Sequence, residues 1–259
     1  MIKFFRHIRK QLLSEHKTGK SASRTGRYLK YAIGEIILVV IGILIALQIN
    51  NWNEQRKIRN AEVEILQNLK TELKFNLEEL KEINNQHKSE LEDGMFILKL
   101  FATDVSNLSE SKLDSLMNNA FSGYSFEAKD GYIKSLIASN KIDYIQNAEL
   151  KSYISSFESM IIDANQEDGY VRKLLNERLW PTLDGKLSTL NAITTSKRYQ
   201  DFPKGTYSSD YQWFFNNREM EDLTANIFIW KKENVIDEQV FMDKIEIMIQ
   251  IINSELKEN

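Results

Sequence analysis

Residues 31–49 read YAIGEIILVVIGILIALQI, nineteen residues with a single charged side chain, Glu35. At 1.5 Å rise per residue, a helix of this length is about 28 Å long, close to the roughly 30 Å thickness of a bilayer's hydrocarbon core. Tyr28 and Tyr31 stand at one end and Trp52 at the other, as expected for aromatic anchors at the two membrane interfaces. A core helix of a soluble protein seldom lacks a polar face for this long. The stretch therefore predicts a transmembrane helix.

The charges on either side of this stretch predict its orientation. Residues 1–30 contain nine Lys and Arg and one acidic residue, whereas residues 50–259 contain 25 basic and 35 acidic residues, a net charge of −10. The positive-inside rule then places residues 1–30 in the cytoplasm and residues 50–259 in the periplasm, across the inner membrane. The apolar run is longer than that of a signal peptide, and LQINNW after Ala46 is a poor cleavage context. We expect an uncleaved signal anchor.

The flanking segments indicate what the two ends of the chain contact. Residues 2–13, IKFFRHIRKQLL, predict an amphipathic helix with Phe5, Ile8 and Leu12 on one side, suited to the cytoplasmic headgroup layer. The bilayer is therefore the first expected partner. The negative net charge of residues 50–259 disfavours binding to nucleic acid, because phosphate backbones are repelled.

The composition of the outer domain predicts long helices. The whole chain has only 2 Pro and 10 Gly, and no Gly or Pro stands between Gly42 and Gly94. Apolar residues recur at spacings of three and four within three long segments, near residues 52–93, 147–180 and 216–257. We therefore predict an all-α protein, in which the transmembrane helix continues into an elongated antiparallel helical bundle.

Local signals set the expected ends of these helices. Gly94 is a possible stop for the first, although MFILKLF at 95–101 could extend it. Asn147 is a good N-cap for the second, and Pro181 is expected to end it. Asn216 and Glu219 form a capping-box pattern that is expected to open the third.

One face of the predicted span carries features beyond anchoring. Glu35, Gly42 and Ala46 share a face, and the small-xxx-small pair Gly42 and Ala46 would let two helices approach closely. A glutamate there could hydrogen-bond a partner helix or mark a proton-coupled partner. Alternatively, Glu35 lies only about one turn inside the boundary and extends to the interface. These three residues are the candidates for a transmembrane interface.

The sequence offers no catalytic, cofactor or metal residues. It has no Cys, and of its 3 His only His87 lies in the outer domain, where it is expected to be solvated or to face the bundle. Ser109 and Lys112 fit a Ser-x-x-Lys pattern, but the only Lys-Thr-Gly, at 17–19, lies across the predicted membrane. We therefore predict a protein that is not an enzyme and holds no cofactor or metal.

Aromatic residues crowd the stretch before the last helix. Besides Tyr199 and Phe202, this group contains Tyr207, Tyr211, Trp213, Phe214 and Phe215, which are the candidates for a partner or ligand surface. Aromatics in a loop can form such a surface. They can equally close the end of a helical bundle, and that interpretation would bring Trp180 or Trp230 into the packing.

The N-terminal third resembles an uncharacterised family of single-pass membrane proteins abundant in Bacteroidota. The matching stretches are MIKFFRHIRKQLLSE at 1–15 and YLKYAIGEIILVVIGILIALQINNWNE at 28–54, with a weaker likeness over 132–154. The resemblance implies the origin, the topology and a helical outer domain. Because the family is a domain of unknown function, it implies no activity and no site residues.

Three functions follow as hypotheses. The first is a membrane-anchored module for protein interaction, scaffolding or sensing, with a protein partner or a second copy of the chain as the expected partner. The second is an enzyme of the cell envelope with an unconventional site near the aromatic residues. The third is an accessory subunit of a membrane complex, which would act through Glu35 in the transmembrane helix.

Overall fold

The computed structural model describes residues 24–257, and within them the protein is helical, without strands. The predicted amphipathic helix at 2–13 and most of the basic segment 1–30 lie outside the described residues. The all-α prediction is confirmed for the described residues. The α-helices are α1 (Arg24–Leu100), α2 (Glu110–Ala120), α3 (Gly131–Ala138), α4 (Ala148–Leu174), α5 (Trp180–Leu183), α6 (Thr189–Ile193), α7 (Tyr211–Phe215) and α8 (Arg218–Lys257).

The chain divides into two compact units between Ile58 and Arg59. In the first unit, the apolar side chains of residues 36–47 are exposed, and so is Trp52 at 61%. Within the described residues, one helix is long and apolar enough to cross a membrane, and it is α1. No residue of the most apolar 18-residue stretch of this helix is buried inside the protein. This stretch is a candidate membrane span.

The second unit has a core of two apolar clusters. The first apolar cluster joins α1, α4 and α8, and includes Leu66, Leu69, Leu73, Leu80, Ile154, Phe157, Phe241, Ile245, Met248 and Ile252. The second apolar cluster includes Ile97, Phe101, Leu113, Met117, Val171, Phe214, Phe215, Leu223 and Ile227. Apolar residues at helical spacing on α1, α4 and α8 thus contribute to both clusters, as burial of one face of each helix requires.

Contacts across the core show how the long helices run. Lys81 pairs with Glu246 at 2.6 Å, whereas Asn84 lies further along α1 and donates to Glu238, further back along α8. Within this unit α1 and α8 are therefore antiparallel. The ring pairs Phe157–Phe241 at 5.5 Å and Tyr170–Trp230 at 4.9 Å show the same relation between α4 and α8.

Gly94 does not end α1, which continues to Leu100. The extension carries Ile97 into the second apolar cluster, where it is fully buried. A side chain at position 94 would overlap the ring of Phe228 on α8, so the glycine permits a close approach of the two helices. Its role here is packing rather than termination.

Pro181 does not end the second long helix either. After α4 the chain makes a π-helical turn at Leu175–Leu179 and continues as α5 for two residues beyond the proline. Pro181 lies in the first turn of α5, where a residue without an N–H is tolerated. The helix ends at Leu183, and Gly185, two residues further on, has a φ of +72°, the left-handed conformation that glycine adopts without strain just beyond a helix end.

The predicted cap of the last helix was wrong by one position. Asn217 caps α8, because its Oδ1 accepts from the backbone N–H groups of Glu219 (2.9 Å) and Met220 (3.4 Å). Asn216 instead donates through Nδ2 to the carbonyl of Gln212 in α7. Two adjacent asparagines thus serve two different helices, a distinction that spacing alone could not make.

The predicted cap Asn147 is confirmed, with Oδ1 accepting from Leu150 N–H at 3.0 Å.

Candidate functional site

The three candidates for a transmembrane interface lie in the first unit. Glu35, Gly42 and Ala46 are all exposed on α1. Gly42 has no atom within 4 Å of the position that a Cβ would take. Within the described residues, this face is therefore open to another helix, as close packing at small residues requires.

The structure separates the aromatic candidates into two groups. Tyr211, Phe214 and Phe215 are at most 5% exposed and belong to the second apolar cluster, where Phe101 packs 5.4 Å from both phenylalanine rings. These three residues close the core. Tyr207 is 83% exposed and Trp213 is partly exposed, so only these two of the five predicted residues offer surface to a partner.

A layer of polar side chains separates the two apolar clusters. On α1 it lies between Leu80 of the first cluster and Ile97 of the second, and on α8 between Phe228 and Phe241. Its side chains are between 1% and 6% exposed. We call this set the polar layer: Asn84, His87 and Glu90 from α1, and Lys231, Asn234 and Glu238 from α8.

One half of the polar layer is a buried ion pair. The ammonium of Lys231 donates to Glu90 and, at 2.9 Å, to the backbone carbonyl of Ser122. Glu90 also accepts from the Ser122 hydroxyl at 2.9 Å. The chain between α2 and α3 is thereby attached to both helices. Burial raises the pKa of Glu90, against the opposing effects of Lys231, His87 and Ser122.

The other half is centred on His87. Its Nδ1 lies 2.8 Å from Glu238 Oε1, and its Nε2 lies 3.2 Å from the carbonyl of Tyr124. Both neighbours are acceptors, so both ring nitrogens must carry a proton if both contacts are to be hydrogen bonds. The Asn234 amide nitrogen is also 3.2 Å from Nδ1, but the contact to Glu238 is shorter and charged. The geometry therefore fits an imidazolium paired with a carboxylate.

The environment of His87 supports this protonation state. Burial by itself lowers the pKa of His87, but the hydrogen bond and charge of Glu238, the charge of Glu90 and the contact with the Tyr124 carbonyl together raise it above its ordinary value. The amide of Asn84 also donates to Glu238, at 2.8 Å. Asn234 Oδ1, however, has no hydrogen-bond donor among the described residues. The layer is thus nearly, but not fully, satisfied.

The polar layer is suited to holding segments together rather than to catalysis. Its side chains are too covered to meet a substrate, whereas two of them bind backbone carbonyls of the chain between α2 and α3. Within residues 24–257, moreover, no three His, Asp or Glu side chains are grouped to hold a metal ion. The polar layer therefore holds α1, α8 and this connecting segment together through charged hydrogen bonds.

The contact between His87 and Glu238 in the polar layer predicts that the stability of the protein depends on pH. The pKa of His87 is higher in the folded state than in the unfolded state, where it is about 6.5. The contribution of His87 to the free energy of unfolding is therefore fully present below the pKa of the unfolded state, and it is lost as the pH rises through the pKa of the folded state. We expect the free energy of unfolding to fall over this range in the wild type. In His87→Gln this fall should be absent, since glutamine does not titrate.

Urea unfolding of the full-length protein in detergent, followed by tryptophan fluorescence at a series of pH values, measures this difference. The exposed change Lys88→Gln on the same helix is the control and should keep the wild-type profile. Parallel pH profiles for wild type and His87→Gln would show that His87 is not the titrating group.

Sequence reasoning found part of the polar layer. His87 was expected to be solvated or to face the bundle, and the structure buries it inside the bundle. Glu90, Lys231 and Glu238 were missed. The available signal was their spacing, since residues 84, 87 and 90 on one helix and 231, 234 and 238 on the other recur every three or four positions on the core side.

Comparison with known proteins places the chain in a family but assigns no activity. Residues 35–193, more than half of the chain, match the family described as "Family of unknown function (DUF6090)". No curated protein matches the chain, and no solved structure matches it. The matched range contains the α1 side of the polar layer and ends at the last residue of α6. The protein is thus a member of the DUF6090 family of unknown function.

Proposed function

We propose that the protein is a membrane-anchored helical module for interaction or sensing, with its N-terminus in the cytoplasm and residues 50–259 in the periplasm. The observation that carries the proposal is the uncovered apolar stretch of α1. Its side chains are exposed in the structure, with Ile36 at 62% and Leu44 at 58%, whereas a core helix would bury them. A bilayer would cover this surface along its whole length.

The charge pattern supports the proposed orientation. Nine basic residues precede the span, and the domain that follows it is acidic. This asymmetry favours a cytoplasmic N-terminus under the positive-inside rule. The Bacteroidota origin suggested by the sequence resemblance belongs to the same proposal.

The proposed role is binding rather than catalysis. The polar layer, a buried group of titratable side chains, is occupied in joining helices and is closed to substrates. The partner is a protein, a second copy of the chain or a ligand. An accessory role in a membrane complex is the second candidate, favoured by the open face of Glu35, Gly42 and Ala46.

The experiment begins with the location of the protein. The full-length chain with a C-terminal tag is expected to stay in the membrane fraction after an alkaline wash, and its tag should become sensitive to protease in spheroplasts without lysis. Recovery in the soluble fraction would overturn the anchor, and a tag digested only after lysis would overturn the orientation.

Crosslinking in native membranes then separates the two candidate roles. Gly42→Leu should abolish a crosslinked complex that depends on close packing of the span, because the added side chain separates the helices. Leu44→Ile, on the opposite side of α1, is the matched control. A complex that survives Gly42→Leu assigns binding to the outer domain, and absence of any complex, including a self-complex, contradicts the interaction role.

A further inference from the structure

A surface pocket of about 570 Å³ lies in the second unit, apart from the polar layer. It is formed by α2, by α6 with the two residues that follow it, and by the segment between residues 200 and 208. Its lining is mostly polar, with hydroxyl, amide and carboxyl groups, and one lysine, Lys204. These groups can donate to and accept from a ligand with several hydrogen-bonding groups.

The segment that forms the pocket wall is held in place. Asn191 accepts from Gly205 N–H at 2.8 Å and donates to the Tyr207 carbonyl at 3.1 Å. A Cβ at Gly205 would lie 2.8 Å from both Asn191 Oδ1 and Ser188 Oγ, so only glycine fits there without displacing them. Ser209 N–H is bound by Glu110 Oε1 at 2.8 Å. The wall is therefore preorganised, which reduces the entropy lost when a ligand binds.

A buried carboxylate lies among the lining groups. Asp114 is 4% exposed, and its Oδ1 accepts from the Tyr211 hydroxyl at 2.6 Å and the Ser209 hydroxyl at 3.3 Å. Burial and the charge of Glu110 raise the pKa of Asp114, against the hydrogen bonds from Tyr211 and Ser209 and the charge of Lys204. Among the described residues, no lysine or arginine forms an ion pair with Asp114. A buried carboxylate without a direct ion pair is stabilised by a cation that enters the site.

Two exposed aromatic rings stand at the same pocket. Tyr207 is 83% exposed and Phe202 is 48% exposed, and both line it. Exposed aromatic faces attract cations and pack against the apolar face of a ring-shaped ligand. With Glu110 and Asp114, the lining therefore combines an excess of negative charge, hydroxyl and amide groups, and aromatic surface.

We propose that this pocket binds a small hydroxylated amine of the amino-sugar type. The protonated amine lies toward Asp114 and Glu110, the hydroxyl groups meet the Ser, Thr and Asn side chains of the lining, and the ring packs on Tyr207. This inference rests on the proposed binding role of the domain but not on the membrane anchor. If no ligand binds, the result of the membrane fractionation still stands. If the protein proves not to be anchored in the membrane, ligand binding to the pocket is still expected.

Calorimetric titration of the full-length protein in detergent at neutral pH tests the ligand class. The probes are glucosamine, glucose, N-acetylglucosamine and putrescine, which separate the contributions of amine charge and hydroxyl groups. Glucosamine is expected to bind at least about tenfold more tightly than each of the other three. No saturable binding of glucosamine, or equal binding of glucose, N-acetylglucosamine or putrescine, would overturn the proposal.

Variants place the binding in this pocket. Asp114→Asn keeps an acceptor for the Tyr211 hydroxyl but removes the charge, and should weaken glucosamine binding at least about tenfold. The exposed change Asp143→Asn, outside the pocket, is the matched control and should bind as the wild type does. Tyr207→Ala removes a solvent-exposed side chain and therefore tests the site even if Asp114→Asn does not fold. Unchanged affinity in Tyr207→Ala and in any folded Asp114→Asn would exclude this pocket.

Discussion

Lys231→Met is expected to lower the free energy of unfolding by about 3–5 kcal/mol, because it leaves a buried carboxylate without its cation. Glu90 is 1% exposed and accepts a hydrogen bond from the Lys231 ammonium. The same change removes the donor to the Ser122 carbonyl, so the segment between α2 and α3 loses one of its attachments. Urea unfolding of the full-length protein in detergent, monitored by the fluorescence of its tryptophans, measures the loss.

Lys232→Met is the matched control for this prediction. The neighbouring lysine is exposed, and its replacement should change stability by no more than about 0.5 kcal/mol. Equal losses in the two variants would contradict the buried ion pair. The distinction is sharp because the two substitutions are chemically identical and differ by one position on α8.

A double variant tells whether the ion pair itself stabilises the fold. In Glu90→Gln with Lys231→Met, neither charge remains, and most of the loss seen in Lys231→Met should be recovered. Gln at position 90 retains an acceptor for the Ser122 hydroxyl, which now binds Glu90 at 2.9 Å. A double variant as unstable as the single one would show that Lys231 contributes mainly through Ser122.

Gly94→Ala is expected to destabilise the second unit by about 1–3 kcal/mol, although alanine is the better helix former. A methyl group at position 94 would overlap the ring of Phe228. That ring is 2% exposed and packs 5.3 Å from Phe121, so it cannot move aside without disturbing the second apolar cluster. Thermal and urea unfolding of the full-length protein would report the change.

Gly169→Ala provides the opposite expectation within the same domain. Gly169 lies inside α4, and a Cβ there would have no neighbour within 4 Å. The substitution should therefore stabilise the protein by up to about 1 kcal/mol, which is the helix-propensity difference alone. If both glycine variants gained stability, the close approach of α1 to α8 at Gly94 would be refuted.

Periodicity was sufficient to predict the helical elements of the core. Leu66, Leu69 and Leu73 recur at helical spacing, and all three are fully buried. The same reasoning located the interior side of α8 from Met220 to Ile252. These positions could be predicted because burial of apolar area depends only on which face a side chain occupies.

Contacts between distant segments could not be predicted in this way. The side-chain amide of Asn76 donates to the Lys129 carbonyl and accepts from the Lys129 N–H, 53 positions further along the chain. Glu90 and Lys231 are 141 positions apart, and their pairing depends on the alignment of α1 with α8. The pocket likewise depends on the hydrogen bond from Gly205 N–H to Asn191, which lies 14 positions earlier in the chain. No local pattern encodes these alignments.

The polar layer has a consequence for the alignment of α8 against α1. Apolar stripes alone tolerate displacement along the helix axis, because one leucine or isoleucine can replace another in the same cavity. A slip of α8 by one turn, about 5.4 Å, would place Val235 or Ile227 opposite Glu90 and leave a buried carboxylate facing hydrocarbon. The Glu90–Lys231 and His87–Glu238 pairs are satisfied together in one axial position only. The charged residues thus fix the axial alignment of α8 against α1, which the two apolar clusters would not fix alone.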